Sequence, residues 1–220
     1  MLQIAVIAHG QGIAAFNRHR KYWEAFKAPI LVVDPVNDPV DTDLERLTVA
    51  NAEHNGHQSI VRLKALFDVL HYKTWDHCFI YEYDSFSLCS SMPGTTGFYG
   101  NLYANKESPK FTAPIYANPP WFFDRASFEG MRHYATTFPA LFEQGEADRW
   151  LSALAYLCGI PIFDYTPKGF SRGTIDETHI SKLRTAIKEE KCVHIHGVKQ
   201  KWVLAAVEQF YDEANPTKGN

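Results

Sequence analysis

An α/β fold built from parallel βαβ units is what this sequence predicts, and three observations carry the prediction. Ile4–Ala8, Ile30–Val33 and Cys78–Tyr81 are short, wholly apolar runs of strand length, as expected of strands buried on both faces. The segments between them place apolar residues at helical intervals. The strand-to-strand separations leave room for a crossover, which parallel neighbours require.

In chain order, the first strand leads into His9-Gly10-Gln11-Gly12, and a helix follows on Ile13, Phe16, Trp23 and Phe26. The second strand ends at Asp34 because Pro35 cannot extend the ladder. After a polar stretch, Ile60, Leu63, Phe67 and Leu70 recur at i, i+3, i+7 and i+10 as the stripe of a second helix. The third strand runs into Glu82-Tyr83-Asp84. From Ser85 to Trp121, Pro93, Gly94, Gly97, Gly100, Pro109, Pro114, Pro119 and Pro120 interrupt any helical pattern, so a long functional loop is expected. Regular structure returns with a helix on Trp150, Leu151, Leu154, Leu157 and Cys158, short strands at Pro161–Phe163 and Val193–Ile195, and a terminal helix from Trp202 to Tyr211. One domain over residues 1–213 and a frayed tail over 214–220 are expected, with no repeat and no Ser/Gly linker.

Composition narrows the class. In 220 residues, 22 Lys and Arg stand against 25 Asp and Glu, a net charge of −3, and 45% of residues are apolar. That excludes a disordered chain and supplies no positive field for general nucleic-acid binding. The four cysteines form no CxxC pair, so buried reduced thiols are expected. The first residues lack a basic signal-peptide start. The longest apolar stretch, Trp150 to Phe163, is broken by Gly159 and Pro161 and falls short of the roughly 20 residues of a membrane span. A cytoplasmic protein without a transmembrane segment is the expectation.

The chemistry concentrates in two places. Glu82 and Asp84 lie two residues apart at the end of a buried strand; on extended backbone they would point to one side and share a divalent cation through oxygen. Far along the chain, His194-Ile195-His196-Gly197-Val198-Lys199 gathers metal-binding imidazoles, a glycine that admits close backbone approach, and a phosphate-attracting amine. The apolar strand followed by Glu82-x-Asp84 resembles the DxD motif of GT-A-fold glycosyltransferases, with Glu in the first position, and the His-Gly-x-Lys segment resembles the C-terminal part of the same site. The resemblance implies a GT-A-like single domain with a mixed, mostly parallel sheet flanked by helices. It also implies transfer of a sugar from a nucleotide-diphosphate donor, most simply a UDP-sugar, to a saccharide or other hydroxyl acceptor with Mn²⁺ or Mg²⁺.

Carried onto this sequence, the resemblance makes Glu82, Asp84 and His196 the metal ligands, with His194 the alternative imidazole. Gly197 and Lys199 would meet the diphosphate, and His9, Gly10 and Arg62 the nucleotide. Tyr116 and Trp121, in the aromatic segment Phe111–Phe123, would stack on sugar. Asp148, with Glu146 second, would act as general base if the reaction inverts the anomeric centre. The same two acidic residues also suit the start of a helix without any catalytic role.

Two rival readings exist. Gly10-Gln11-Gly12-Ile13-Ala14-Ala15 matches the G-x-G-x-x-A dinucleotide fingerprint, with Asp34 closing the next strand, as in an NAD(P)-dependent oxidoreductase. That pattern leaves the two later motifs unexplained. A nucleotide-sugar-binding protein without catalysis is the other alternative.

Overall fold

Strand β1 (Leu2–Ile7) lies in the middle of a seven-stranded sheet. On one side it pairs in parallel with β2 (Ile30–Pro35), which pairs in parallel with β3 (Glu45–Val49). On the other side it pairs in parallel with β4 (His77–Glu82). The sheet then continues through β7 (Ile115–Asp124), β6 (Phe98–Ala104) and β8 (Ile162–Asp164). Strand β7 runs antiparallel to both neighbours, and β6 and β8 are parallel to each other. The computed structural model describes residues 1–50, 59–89, 92–93, 96–104, 115–138, 147–165 and 169–215. The end of the expected tail, 216–220, lies outside them.

Alternation along the strands builds two cores. Ile4 and Val6 of β1 face helix α1 (Ile13–Glu24), where Phe16 and Trp23 are fully buried. Ala5 and Ile7 face the other way, into a core closed by Leu63, Phe67 and Leu70 of α2 (Ser59–Tyr72), Phe128 of α3 (Arg125–Thr137) and Trp150 and Leu154 of α4 (Ala147–Leu157). All four residues of the α2 stripe, Ile60 included, are therefore core. A third core joins the small sheet β5 (Ser85–Ser87), β10 (His194–His196) and β9 (Phe170–Ser171) to α5 (Glu177–Lys188) and α6 (Lys201–Ala214). Among the described residues, no helix is long and apolar enough to cross a membrane.

The expected loop from Ser85 to Trp121 is corrected: much of it is strand. The prolines fit because Pro119 and Pro120 stand where the β6–β7 register shifts between Tyr99 and Asn101, and an interrupted ladder asks for no N–H there. Residues 105–114, including Phe111, lie outside the described residues. The cysteine expectation holds in part: all four are free, but Cys89 and Cys158 are only half-buried, whereas Cys78 and Cys192 are buried.

Candidate active site

A cleft of about 590 Å³ opens where β1 and β4 end. In open α/β sheets this is where ligands bind, since the backbone diverges there and side chains from several strands converge. The antiparallel β7 begins at the same end, so Tyr116, Asn118 and Pro119 line the cleft beside Glu82, Tyr83 and Asp84. Ala147 and Asp148, opening α4, form another wall. Ser171, His196 and Lys199 arrive from the small sheet and the segment after it.

The two carboxylates meet by a route different from the expected one. Glu82 is the last residue of β4, and Asp84 lies in a tight turn before β5, not on extended chain. The Ser85 hydroxyl closes that turn: it accepts the Glu82 N–H at 2.8 Å and donates to the Glu82 carbonyl at 2.9 Å. The Asp84 carbonyl accepts the N–H groups of Gly197 and Val198 at 3.1 and 3.0 Å, which docks the C-terminal motif against the acidic turn. In register, His196 faces Ser85 across the β5–β10 ladder.

The resulting cluster is tight. Ligand atoms of Glu82, Asp84 and His196 all lie within 4.8 Å of one another. His196 Nε2 is 3.0 Å from Glu82 Oε2 and 3.6 Å from Asp84 Oδ1, and Lys199 Nζ is 3.7 Å from Asp84 Oδ2. Asp84 is 1% exposed and its Oδ1 has no hydrogen-bond partner. Burial, reinforced by the Glu82 charge, raises the Asp84 pKa. Burial pushes Glu82 the same way, but the His196 hydrogen bond and the charges of His196, Arg62 and Lys199 outweigh it, so Glu82 is held below its ordinary value. Burial works against a charged His196, yet the two carboxylates raise its pKa. An under-bonded buried oxygen, a second carboxylate and an imidazole on one small volume make a donor set that fits a hard or borderline divalent cation.

His194 takes no part in this cluster. Its Nδ1 lies 2.8 Å from the Ser87 hydroxyl, its ring stacks on Tyr165 at 3.8 Å, and burial pushes its pKa down to about 3.

The other candidates divide. His9, Arg62, Tyr116, Trp121 and Asp148 all border the cleft. Arg62 is 4% exposed; its Nη1 donates to the Ala8 carbonyl at 2.9 Å and its Nε has no partner. Tyr116 is half-buried and stacks on Tyr103, with the Arg149 guanidinium 5.6 Å from its ring centre. Trp121 is fully buried, and its indole N–H donates to the Ala117 carbonyl at 2.6 Å. It forms a core wall under the cleft, not the open stacking face that was expected. Glu146 lies outside the described residues.

The two glycines serve the chain itself. The Gly10 N–H donates to the Asp38 carbonyl at 2.8 Å, and a Cβ there would strike Asp38 and Pro39. The Gly197 N–H is committed to Asp84, its φ is +97°, and a Cβ would strike the Arg172 carbonyl. Both amides are therefore spent on the chain's own carbonyls, at the positions expected to meet the nucleotide (Gly10) and the diphosphate (Gly197). Sequence reading missed Tyr83, Asn118 and Ser171 in the cleft lining. Tyr83 lay in plain sight inside Glu82-x-Asp84; Ser171 carried no motif at all.

The dinucleotide fingerprint fares badly. Asp34 is fully buried, accepting the Val40 N–H at 2.8 Å and pairing with Arg46 at 2.9 Å, so it is not presented to a ribose. A Cβ on Gly12 would come within 2.6 Å of the Tyr83 ring, so packing accounts for that glycine. The antiparallel β7 also breaks the parallel order of a dinucleotide sheet.

No protein-family model matches the sequence, and no curated protein matches it. Solved structures do. Galactosyltransferase LgtC in complex with donor and acceptor sugar analogues aligns over 99% of this chain and 97% of its own, with a TM-score of 0.55 at 11% identity. An active-site mutant of LgtC aligns over the same shares with a TM-score of 0.53 at 12% identity. The chain has the GT-A fold. The likeness extends over nearly the whole length of both chains.

Proposed function

We propose that the protein is a metal-dependent glycosyltransferase that moves a sugar from a nucleotide-diphosphate donor, most simply a UDP-sugar, to a hydroxyl acceptor. The observation that carries this reading is the convergence of Glu82, Asp84 and His196 within 4.8 Å, at the strand ends of a GT-A sheet. Those three side chains would hold Mn²⁺ or Mg²⁺, whose charge would neutralise the departing diphosphate.

The chain's own residues supply the rest. Lys199, 40% exposed at its side chain and 3.7 Å from Asp84, attracts the diphosphate as a flexible point charge. Arg62 adds a buried positive charge from the α2 side. His9, held by the Gly12 N–H on its Nδ1 at 3.1 Å, borders the nucleotide end. Tyr116 packs on the sugar or acceptor, and Asp148 takes the acceptor proton if the anomeric centre inverts.

The test is release of UDP from UDP-sugars with Mn²⁺ present, alone and with saccharide acceptors. Metal-dependent release or transfer is expected. Donor binding without release identifies a binding protein instead, and tight NAD⁺ binding with no affinity for UDP overturns the reading.

A further inference from the structure

Ser171 is 1% exposed on β9, directly opposite His196 in the parallel β9–β10 register. Its Oγ lies 2.8 Å from His196 Nδ1. The other ring nitrogen, Nε2, faces Glu82 at 3.0 Å and Asp84 at 3.6 Å. The serine is itself fixed, because its carbonyl accepts from Arg172 Nη1 at 2.7 Å and from the Tyr103 hydroxyl at 2.9 Å.

An imidazole binds a cation only through a nitrogen that carries no proton. Without a cation, His196 donates Nε2–H to Glu82, and the Ser171 hydroxyl meets Nδ1 as donor to a bare nitrogen or as acceptor from an N–H. With a cation on Nε2, the ring's one proton must stand on Nδ1, and the same hydroxyl must accept it. A hydroxyl can do both; a backbone carbonyl only accepts and a lysine ammonium only donates. We infer that Ser171 is the positioning residue of the metal site: it holds the His196 ring in place and matches both tautomers, so that Nε2 is presented to the point shared with Glu82 and Asp84. This rests on the metal reading above.

The strand provides an internal comparison. His194, two residues earlier, makes the same bond through Nδ1 to Ser87 at 2.8 Å but lies outside the carboxylate cluster. Ser87→Ala therefore removes a Ser–His bond, together with the Ser87–Tyr81 hydroxyl contact, outside the carboxylate cluster.

The experiment titrates Mn²⁺ alone into wild type, Ser171→Ala, Ser171→Thr and Ser87→Ala, and reads nitrogen coupling to the bound Mn²⁺ by electron spin-echo spectroscopy, with thermal melts to verify folding. Ser171→Ala is expected to bind Mn²⁺ at least about 10-fold more weakly and to lose the nitrogen coupling. Ser171→Thr restores both, and Ser87→Ala leaves both at wild-type values. Unchanged affinity and coupling in Ser171→Ala overturn the inference while leaving the metal reading intact. A wild-type protein that binds no Mn²⁺ overturns the metal reading, and the inference falls with it.

Discussion

Gly197 has φ of +97°, and its N–H and carbonyl are both engaged, by the Asp84 carbonyl and the Ile175 N–H. A side chain there is strained by the backbone angle and also meets the Arg172 carbonyl, so two independent costs add. Gly197→Ala should lower stability by about 2 kcal/mol or more, read as a fall in the urea midpoint with m unchanged. Since Arg172 follows Ser171, relief of the clash displaces the strand that holds His196, and metal affinity should fall with stability. At this scale the sequence named the right residue for a different reason: glycine spacing suggested room for phosphate, and the room is used by the chain's own turn. Trp121 teaches the same lesson, because residue type announces a stacking surface but not which way a strand turns it. Ser171 could not be found from sequence, since its role depends on a β9–β10 register set by distant packing.

A buried hydroxyl ties helix α4 to strand β7, beside their apolar packing. Ser152 is fully buried, accepts the Ala117 N–H at 2.8 Å and donates to the Asp148 carbonyl at 2.7 Å. It thus couples the helix that opens with Asp148 to the strand that carries Tyr116. Ser152→Ala leaves the Ala117 N–H unsatisfied and should cost about 1–3 kcal/mol, measured by denaturant unfolding. Replacement by Thr keeps the hydroxyl but adds a methyl group to a packed core. Elements with dense apolar runs, β1, β2 and β4, were legible in the sequence, as were α1, α2, α4 and α6 through their stripes. Strand β3 was not, because only Val49 of its five residues is buried and an edge strand shows little hydrophobic signal. Strand β7 was hidden by Pro119 and Pro120, whose breaker signal outweighs the strand pattern until a partner with a shifted register is known. Helix α5 carries a stripe of its own, Ile180, Leu183 and Ile187, short enough to pass for a loop segment in a sequence rich in polar residues.

At the scale of the whole molecule, His19 and His194 are folded into the interior and burial lowers the pKa of each. His19, fully buried on α1, donates Nδ1–H to the Tyr83 carbonyl at 3.0 Å, inside the acidic turn. Burial, aided by the Arg18 and Lys21 charges and only partly offset by that hydrogen bond, lowers its pKa from 6.5 to about 4. Burial alone lowers His194 to about 3. Each is protonated more readily in the unfolded chain, so the stability it contributes is full above pH 6.5 and is lost as pH falls toward its folded value. The loss is on the order of 1 kcal/mol per pH unit for each group in that window. A urea midpoint that declines from pH 6.5 toward pH 4, with a shallower slope in His194→Gln, is the expected outcome. The α1 helix also reaches the far side of the site, since Arg18 donates to the Lys199 carbonyl at 2.5 Å.

At Asp84 a buried carboxylate turns its under-bonded Oδ1 toward the His196 imidazole and its Oδ2 toward the Lys199 amine. Calorimetric titration of UDP with and without Mn²⁺, in wild type and Asp84→Ala, tests that arrangement most directly. Mn²⁺-dependent UDP binding is expected in the wild type, with at least a 10-fold loss of that affinity in a folded Asp84→Ala protein. Full metal-dependent UDP affinity in Asp84→Ala would contradict that expectation.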